Sequence, residues 1–164
     1  MSLEIERRFL VIGQGWRKAP SALYRQGYLH AEAGCTVRVR LIEAPEGARA
    51  RLTIKGASSP DGLVREEFEY AIPPEDALSL LALARCGMVE KRRHVLEVDG
   101  LQWEVDEFLG ENSGLILAEI ELGSPEQPFS RPDWLGEEVT ADSRYSNAWL
   151  AVSPFTLWPT TQQT

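Results

Sequence analysis

Charged and apolar side chains alternate residue by residue along several segments of the chain, and this alternation constrains the fold more than any other feature. In the first such segment, Glu4, Glu6 and Arg8 fall on every second position. A period of two is that of a β-strand, because successive side chains of a strand point to opposite faces. The alternating segments are residues 4–11, 36–42, 50–55, 64–70, 89–98, 101–108 and 115–122. The chain is therefore predicted to be α+β, with mainly antiparallel β-structure.

One hairpin can be predicted together with its register. The Asp99-Gly100 pair separates two of the alternating segments and is a strong signal for a two-residue turn. Because such a turn fixes which residues lie opposite each other, Arg93 is predicted to face Asp106.

Two helices are predicted to flank the sheet. The first spans residues 74–86, where prolines and acidic residues mark the start and Gly87 follows the end. The second runs from about residue 142 to residue 151, with Tyr145, Trp149 and neighbouring apolar residues packed. The stretch 123–136 is rich in Pro, Gly and Ser and is predicted to be loop.

Length and composition limit what such a chain can do. The 164 residues with 43% hydrophobic content suit a single domain, predicted as 1–158 with a C-terminal tail at 159–164. The net charge of −8 argues against a general role on nucleic acid. The two cysteines have no metal-site spacing and are expected to be buried, free thiols. No apolar run is long enough to span a bilayer, so a cytoplasmic protein without a membrane partner is expected.

The charged faces of the strands carry mostly Glu, Asp, Arg and Lys, whereas the solvent face of an ordinary sheet is mixed. For any single strand, a solvated face is the alternative. Closing the sheet with the charged faces inward gives a barrel with an ionic interior, whose apolar exterior helices or a homodimer partner would cover. The predicted interior acids are Glu4, Glu6, Glu67, Glu69, Glu104, Asp106, Glu119 and Glu121, and the bases are Arg8, Arg38, Arg40, Lys55, Lys91 and Arg93.

Many ionisable groups inside a barrel are unfavourable unless they pair with each other, hold water or hold ions. The acids could bind hard divalent cations through oxygen, and the bases could clamp phosphate oxygens. Together they predict a site for a metal-bound polyphosphate. Structural alternatives remain for some of them, because Arg93 and Asp106 could form a cross-strand ion pair and Glu67 and Glu69 could be solvated.

Short motifs in a fixed order resemble those of one protein family. They are Glu4-Ile5-Glu6-Arg7-Arg8-Phe9, Arg25-Gln26-Gly27-Tyr28-Leu29, Arg38-Val39-Arg40, Leu52-Thr53-Ile54-Lys55, Arg65-Glu66-Glu67-Phe68-Glu69, Val89-Glu90-Lys91-Arg92-Arg93, Trp103-Glu104-Val105-Asp106, Glu119-Ile120-Glu121, Gly136-Glu137-Glu138-Val139-Thr140 and Tyr145-Ser146-Asn147. The first resembles the ExExK signature of the triphosphate tunnel metalloenzymes, or CYTH superfamily, and the last two resemble a C-terminal motif of its short bacterial, triphosphatase-like members. Their ordered occurrence is specific, although most of the motifs are weak individually.

The resemblance implies an eight-stranded antiparallel tunnel in which carboxylates bind Mg²⁺ or Mn²⁺ and basic residues grip a triphosphate. The metal positions that it implies are Glu4, Glu119 and Glu121 for a first metal, Glu6 with Glu67 or Glu69 for a second metal or the attacking water, and Asp106 through water. The phosphate-binding positions are Arg8, Arg38, Arg40, Lys55, Lys91 and Arg93. Catalysis is assigned to Glu6, Arg8 and Lys91. The family signature usually ends in Lys, so Arg8 is a departure, and Arg is a poor proton donor.

The resemblance favours hydrolysis of a small triphosphate, with inorganic triphosphate giving diphosphate and phosphate. One alternative is a class IV adenylate cyclase that forms cyclic AMP from ATP. Another is a non-catalytic polyphosphate-binding protein, which would not need the metal carboxylates. The sequence does not rank inorganic triphosphate against nucleotides or thiamine triphosphate, and it does not choose between the two metals.

Overall fold

A computed structural model describes residues 2–159. The β-strands in this range are β1 (Ser2–Val11), β2 (Ser21–Glu32), β3 (Cys35–Ala44), β4 (Gly47–Gly56), β5 (Val64–Ile72), β6 (Met88–Val98), β7 (Leu101–Phe108), β8 (Ile116–Glu121) and β9 (Leu135–Glu138). The α-helices in this range are α1 (Pro74–Leu81) and α2 (Asn147–Val152). The predicted tail lies outside the described residues, apart from Pro159.

Eight of the strands form a closed antiparallel barrel. Their order is β5-β4-β3-β2-β6-β7-β8-β1, and the pairing of β5 with β1 closes the ring. Strand β9 pairs with the end of β1 and lies outside the ring. The predicted eight-stranded barrel with flanking helices is therefore confirmed.

The predicted hairpin is also confirmed, with its register. Arg93 of β6 lies opposite Asp106 of β7. Asp99 and Gly100 between the strands have φ angles of 50° and 78°. Positive φ at both positions is the signature of the tight turn that matches the twist of the flanking strands.

Strand β2 has no counterpart among the alternating segments. Its inward positions carry neutral side chains such as Tyr24, Gln26 and Tyr28, so charge does not mark the period of two. At Gly27, on the outer face, a Cβ atom would come within 2.6 Å of the Ala84 Cβ. The chain that follows α1 approaches β2 so closely at this point that only glycine fits. The glycine in turn interrupts the run of apolar residues on the outer face of β2.

Apolar layers cover the outside of the barrel, as the alternation predicts. Helix α1 packs on β3 and β4 in a cluster formed by Val39, Leu41, Ala50, Ala77 and Leu81. A second cluster lies on the outer face of β1, β7 and β8, under the loop that leads to β9. It contains Phe9, Trp16, Trp103, Val105, Ala118, Ile120, Leu122, Trp134 and Leu135. Burial of these side chains is the main force that holds the barrel together.

The C-terminal segment closes one end of the barrel. Leu117, on the same face of β8 as Glu119, and Phe108, on the same face of β7 as Asp106, pack against this segment. The cluster consists of Val89, Phe108, Leu115, Leu117, Val139, Tyr145, Leu150, Phe155 and Trp158. The interior is therefore charged along most of its length and apolar at this end.

Both predicted helices are shorter in the structure. Helix α1 ends at Leu81 rather than residue 86, because the Cys86 amide donates to the Tyr28 carbonyl and the following turn joins β2. Helix α2 begins at Asn147 rather than residue 142, since Ser146 is extended and its hydroxyl caps the Trp149 amide. The first part of the predicted helix is instead a 3₁₀ turn.

Three further predictions have a definite outcome. The predicted loop 123–136 is correct up to Leu135, where β9 begins, because a four-residue strand leaves no periodic signal. Tyr145 is buried as predicted, but Trp149 is 46% exposed, so the prediction that it packs is wrong. Cys35 and Cys86 are both free thiols, but each is only partly buried, so the predicted burial is wrong. In residues 2–159 no helix is long and apolar enough to cross a membrane.

Candidate active site

The barrel encloses a cavity of about 600 Å³ whose wall consists mostly of charged and polar side chains. Of the predicted interior residues, those that line it are Glu4, Glu6, Arg8, Arg38, Arg40, Lys55, Glu67, Glu69, Arg93, Glu104, Glu119 and Glu121. They come from different strands, because each strand turns every second side chain inward. Lys91 and Asp106 point to the same side of the sheet, but both are fully buried behind the side chains that line the cavity.

The carboxyl groups of β1 and β8 form an acidic wall. Glu6 lies opposite Glu121 across the two strands, and Arg8 lies opposite Glu119. Burial, together with the negative charge of Glu119, raises the pKa of Glu6 to about 8. Burial also acts on Glu119, but Arg8 and Arg93 outweigh it and hold the pKa of Glu119 well below its ordinary value. Of the two neighbouring carboxyls, Glu6 therefore takes up a proton more readily than Glu119.

Strand β3 supplies the least neutralised bases of the cavity. Arg38 Nη2 donates to Thr53 Oγ1 at 3.2 Å, and the Glu69 carboxylate lies 3.9 Å away. Arg38 Nε is buried without a hydrogen-bond partner. Arg40 Nε donates to the side-chain oxygen of Gln26 at 3.0 Å, and among the described residues no carboxylate pairs with Arg40. Burial and the charges of Arg38 and Arg93 lower the pKa of Arg40 to about 10.

Lys55 is held by the acids at the β1–β5 seam, where the barrel closes. Its Nζ donates to both oxygens of Glu4 at 2.7 Å and lies 3.1 Å from Glu67. Arg65 Nε also donates to Glu4, at 3.3 Å. Burial raises the pKa of Glu4, but Lys55 and Arg65 reverse the shift and keep the carboxylate ionised. The ammonium group therefore reaches the cavity already paired.

The lowest charged layer is a fully buried cluster on the β6–β7 hairpin. Lys91 Nζ donates to Asp106 at 2.5 Å, and Arg93 donates to both oxygens of Asp106 at 2.7 Å. Arg93 also pairs with Glu104 at the cavity wall. Lys91 is 0% exposed, and its burial with the charge of Arg93 lowers the pKa of Lys91 to about 7 despite Asp106. Thus Arg93 faces the cavity, while Lys91 lies behind it.

The donor set of the acidic wall fits a divalent cation. In residues 2–159 no three His, Cys, Asp or Glu side chains already converge on one point. Glu6 and Glu119, however, are close enough for the Glu6 proton to be shared between the two carboxyls, and Glu4 and Glu121 line the same wall. Carboxylate oxygens are the ligands that Mg²⁺ and Mn²⁺ prefer, and a cation can take the place of the proton between two carboxyls.

Several neutral side chains of the site were missed by the sequence analysis. They are Thr53, Gln26, Tyr28 and Asn147. All four lie within the short motifs quoted above, but none of them carries a charge. Arg65 and Gln102 were also missed, although both hold every-second positions on their strands. The period of two could have found Thr53, Arg65 and Gln102. Asn147 carries no periodic signal, because it enters the site from the first turn of α2.

A closed barrel whose inner wall carries many acids and bases, with two arginines that lack a close carboxylate, defines a class of protein that can hold a polyanion inside a tunnel. The CYTH domain family matches residues 2–148. The chain is 43% identical over 157 residues to an inorganic triphosphatase of Acetivibrio thermocellus, covering 94% of this chain and 97% of that protein. It is 37% identical to an inorganic triphosphatase of Nitrosomonas europaea, covering 92% of this chain and 97% of the relative.

A solved structure supports the same assignment. The crystal structure of an inorganic triphosphatase superposes with a TM-score of 0.66 at 34% identity, covering 93% of this chain and 97% of the other. The chain belongs to the CYTH family, as its ordered motifs predicted.

Proposed function

We propose that the protein hydrolyses inorganic triphosphate to diphosphate and phosphate with the help of Mg²⁺ or Mn²⁺. Both relatives described above are named inorganic triphosphatases, and each aligns with this chain over nearly its whole length. The proposal depends on the site as well as on this similarity, since a fold alone does not determine a function.

Arg38 and Arg40 are the observation that carries the proposal. Both are buried, and neither has a carboxylate at close hydrogen-bonding distance, in contrast to the other bases of the cavity. A buried guanidinium without an acid partner is costly unless an anion completes its hydrogen bonds. The two side chains project from alternate positions of β3 and so can contact neighbouring phosphate groups, with Arg well suited to two oxygens at once.

The acids and bases of the cavity divide the work of binding. We assign metal binding to Glu4, Glu6, Glu119 and Glu121, with Glu67 and Glu69 beside them and Asp106, behind the cavity wall, reaching the metal only through water. A bound divalent metal supplies charge neutralisation at phosphate oxygens and lowers the pKa of water. Arg38, Arg40 and Lys55 then bind the phosphate groups that leave as diphosphate, and they do so with side chains already in place before the reaction.

Three residues were assigned to catalysis, and the structure supports them to different degrees. Glu6 and Arg8 line the cavity and can contact the reacting phosphate or its water. Lys91 does not line the cavity, so we propose that it acts from behind by holding Asp106, which in turn fixes Arg93 through two hydrogen bonds.

The cavity wall favours inorganic triphosphate over a nucleotide. Tyr28 is the single aromatic side chain among the described residues that line it, and most other lining groups are charged. A base-binding pocket would instead be expected to be largely apolar with a few placed polar groups. One end of the barrel is also filled by the apolar C-terminal cluster.

A phosphate-release assay tests the proposal. The purified protein is given inorganic triphosphate, ATP or thiamine triphosphate with Mg²⁺ or Mn²⁺, and cyclic AMP is measured in parallel. Release from inorganic triphosphate should be fastest and should stop on addition of EDTA. Formation of cyclic AMP without triphosphatase activity would select the cyclase, and binding without turnover would select the non-catalytic protein.

A further inference from the structure

A buried chain of amides connects the bases of the cavity to the first turn of α2. Arg40 Nε donates to the side-chain oxygen of Gln26, and Gln26 Nε2 donates to Asn147 Oδ1, each at 3.0 Å. Lys91 Nζ donates to the same Asn147 oxygen, also at 3.0 Å. One oxygen atom of α2 therefore holds side chains from β2 and β6 and, through Gln26, one from β3.

The orientation of both amides follows from their neighbours. Arg40 carries only hydrogen-bond donors, and so does the ammonium form of Lys91. Asn147 must therefore turn its oxygen toward Lys91, and Gln26 must turn its oxygen toward Arg40. Gln26 then presents its NH₂ group to Asn147, whose oxygen accepts it. Exchanging oxygen and nitrogen in either amide would set donors against donors in a buried place, which costs free energy.

The direction of Arg40 depends on this amide chain, whereas other arginines of the cavity are held by carboxylates. Arg8 pairs with Glu6 at 2.9 Å, and Arg93 pairs with Asp106 at 2.7 Å. Arg40 has the Gln26 oxygen and the ring of Tyr24, whose centroid lies 5.1 Å away. The Tyr24 ring is shared with Arg93, which lies at the same distance from it, so the Gln26 oxygen is the directional partner of Arg40. The amide chain is what fixes the direction of Arg40.

We infer that Asn147 is a positioning residue for triphosphate binding: its side-chain oxygen directs Arg40, through Gln26, and anchors Lys91 beneath the cavity. The inference rests on the proposed function, since Arg40 needs a fixed direction only if it binds phosphate. It gives the C-terminal segment a second role. The segment closes the barrel, and its first helical turn also completes the phosphate-binding wall.

The test replaces Asn147 with Ala and measures two quantities. The first is the Kd for imidotriphosphate, a triphosphate analogue with nitrogen bridges that resist hydrolysis, by calorimetry with Mg²⁺. The second is the pair KM and kcat for inorganic triphosphate. N147A should raise Kd and KM together by about tenfold, the effect of losing a hydrogen-bond partner of a charged group. The kcat should change much less, because the lost contact affects binding before and during the reaction alike.

Asn112→Ala is the matched control. Asn112 is also buried and also holds the C-terminal segment, donating to the Leu150 carbonyl and accepting from the Phe155 amide at 2.8 Å. It does not line the cavity. N112A should lower thermal stability and leave Kd within about twofold of the wild type, whereas a general loosening of α2 would change Kd in both variants.

A double variant separates positioning from direct contact. If Asn147 acts mainly by directing Arg40, then adding N147A to R40A should weaken binding by less than about threefold further. Full additivity of the two losses would overturn the inference. Gln26→Leu removes the same link from the β2 side and should give the same loss as N147A, which keeps the test valid if N147A does not fold.

The remaining outcomes distinguish the inference from the proposed function. A wild-type protein that binds and hydrolyses triphosphate, with N147A equal to the wild type or to N112A, overturns the positioning role alone. A wild-type protein that neither binds the analogue nor releases phosphate overturns both.

Discussion

The arginines of the cavity differ in what neutralises them, and this difference assigns them different roles. Arg8 and Arg93 are each paired with carboxylates, so part of their positive charge is already neutralised in the free protein. Arg38 has its nearest carboxylate at 3.9 Å, and Arg40 has none among the described residues. An incoming anion therefore gains most from Arg38 and Arg40, since no internal ion pair must first be broken.

The two sides of the site should respond differently to added metal. Glu121→Gln removes a charge from the proposed metal-binding wall while keeping size, so the apparent affinity for metal should fall by about tenfold. Activity should be partly restored at high metal concentration. Arg40→Ala deletes a phosphate contact, so KM for triphosphate should rise without rescue by metal. Steady-state kinetics across a metal titration makes the comparison. Equal rescue of both variants, or of neither, would contradict the division of labour.

Asp106 is predicted to be essential for stability as well as for the site. It accepts hydrogen bonds from Lys91 and Arg93 and is itself fully buried. Asp106→Asn leaves Lys91 without a carboxylate and Arg93 with only Glu104 and a more distant Glu119, which should lower the free energy of unfolding by about 3 kcal/mol even though Lys91 can lose its proton. Denaturant titration measures the change.

The matched control for Asp106 is an exposed ion pair of the same length. Glu43 accepts from Arg25 at 2.7 Å on the outside of the barrel. Glu43→Gln should cost less than about 1 kcal/mol, because solvent screens the pair. Similar losses in the two variants would show that burial of the Asp106 cluster has no special energetic weight.

Among the elements, those with a local sequence signal were predictable and those set by tertiary contacts were not. The β6–β7 hairpin was predicted with its register, because turn and strand signals adjoin in the sequence. Strand β2 was missed because its inward residues are neutral, and β9 because it exists through pairing with β1. The end of α1 also depends on a tertiary contact, the hydrogen bond from Cys86 to Tyr28.

The docking of α2 on the start of β6 can be tested at Gly87. This residue has a φ of +93°, and a Cβ atom there would lie 2.2 Å from the Ala151 carbonyl oxygen. Gly87→Ala should therefore cost more than about 3 kcal/mol, from backbone strain and displacement of α2. Gly100, with a φ of +78° and open space around it, is the control. Gly100→Ala should cost about 1 kcal/mol.

Thermal and denaturant unfolding of the two glycine variants makes the comparison. If G87A and G100A lost the same stability, strain alone would explain both. The close packing of Ala151 on Gly87 would then have no energetic consequence.

For the whole molecule, the alternation of charge predicted both the barrel and the composition of its interior. It follows from closure that residues as distant in sequence as Glu6 and Glu121 share one wall. The pattern could not predict which acid pairs with which base, because that depends on strand stagger. For the same reason it did not predict that Lys91 lies below the cavity and that Arg40 has no acid partner.

The central claim is that this charged interior binds a metal-bound triphosphate and cleaves its terminal phosphate. Phosphorus NMR of inorganic triphosphate mixed with the protein and Mg²⁺ tests it most directly, because substrate and products give separate signals. The account predicts that the triphosphate signals disappear while diphosphate and phosphate appear in equal amounts, and that EDTA stops the change. Unchanged triphosphate signals in the presence of folded protein and either metal would contradict it.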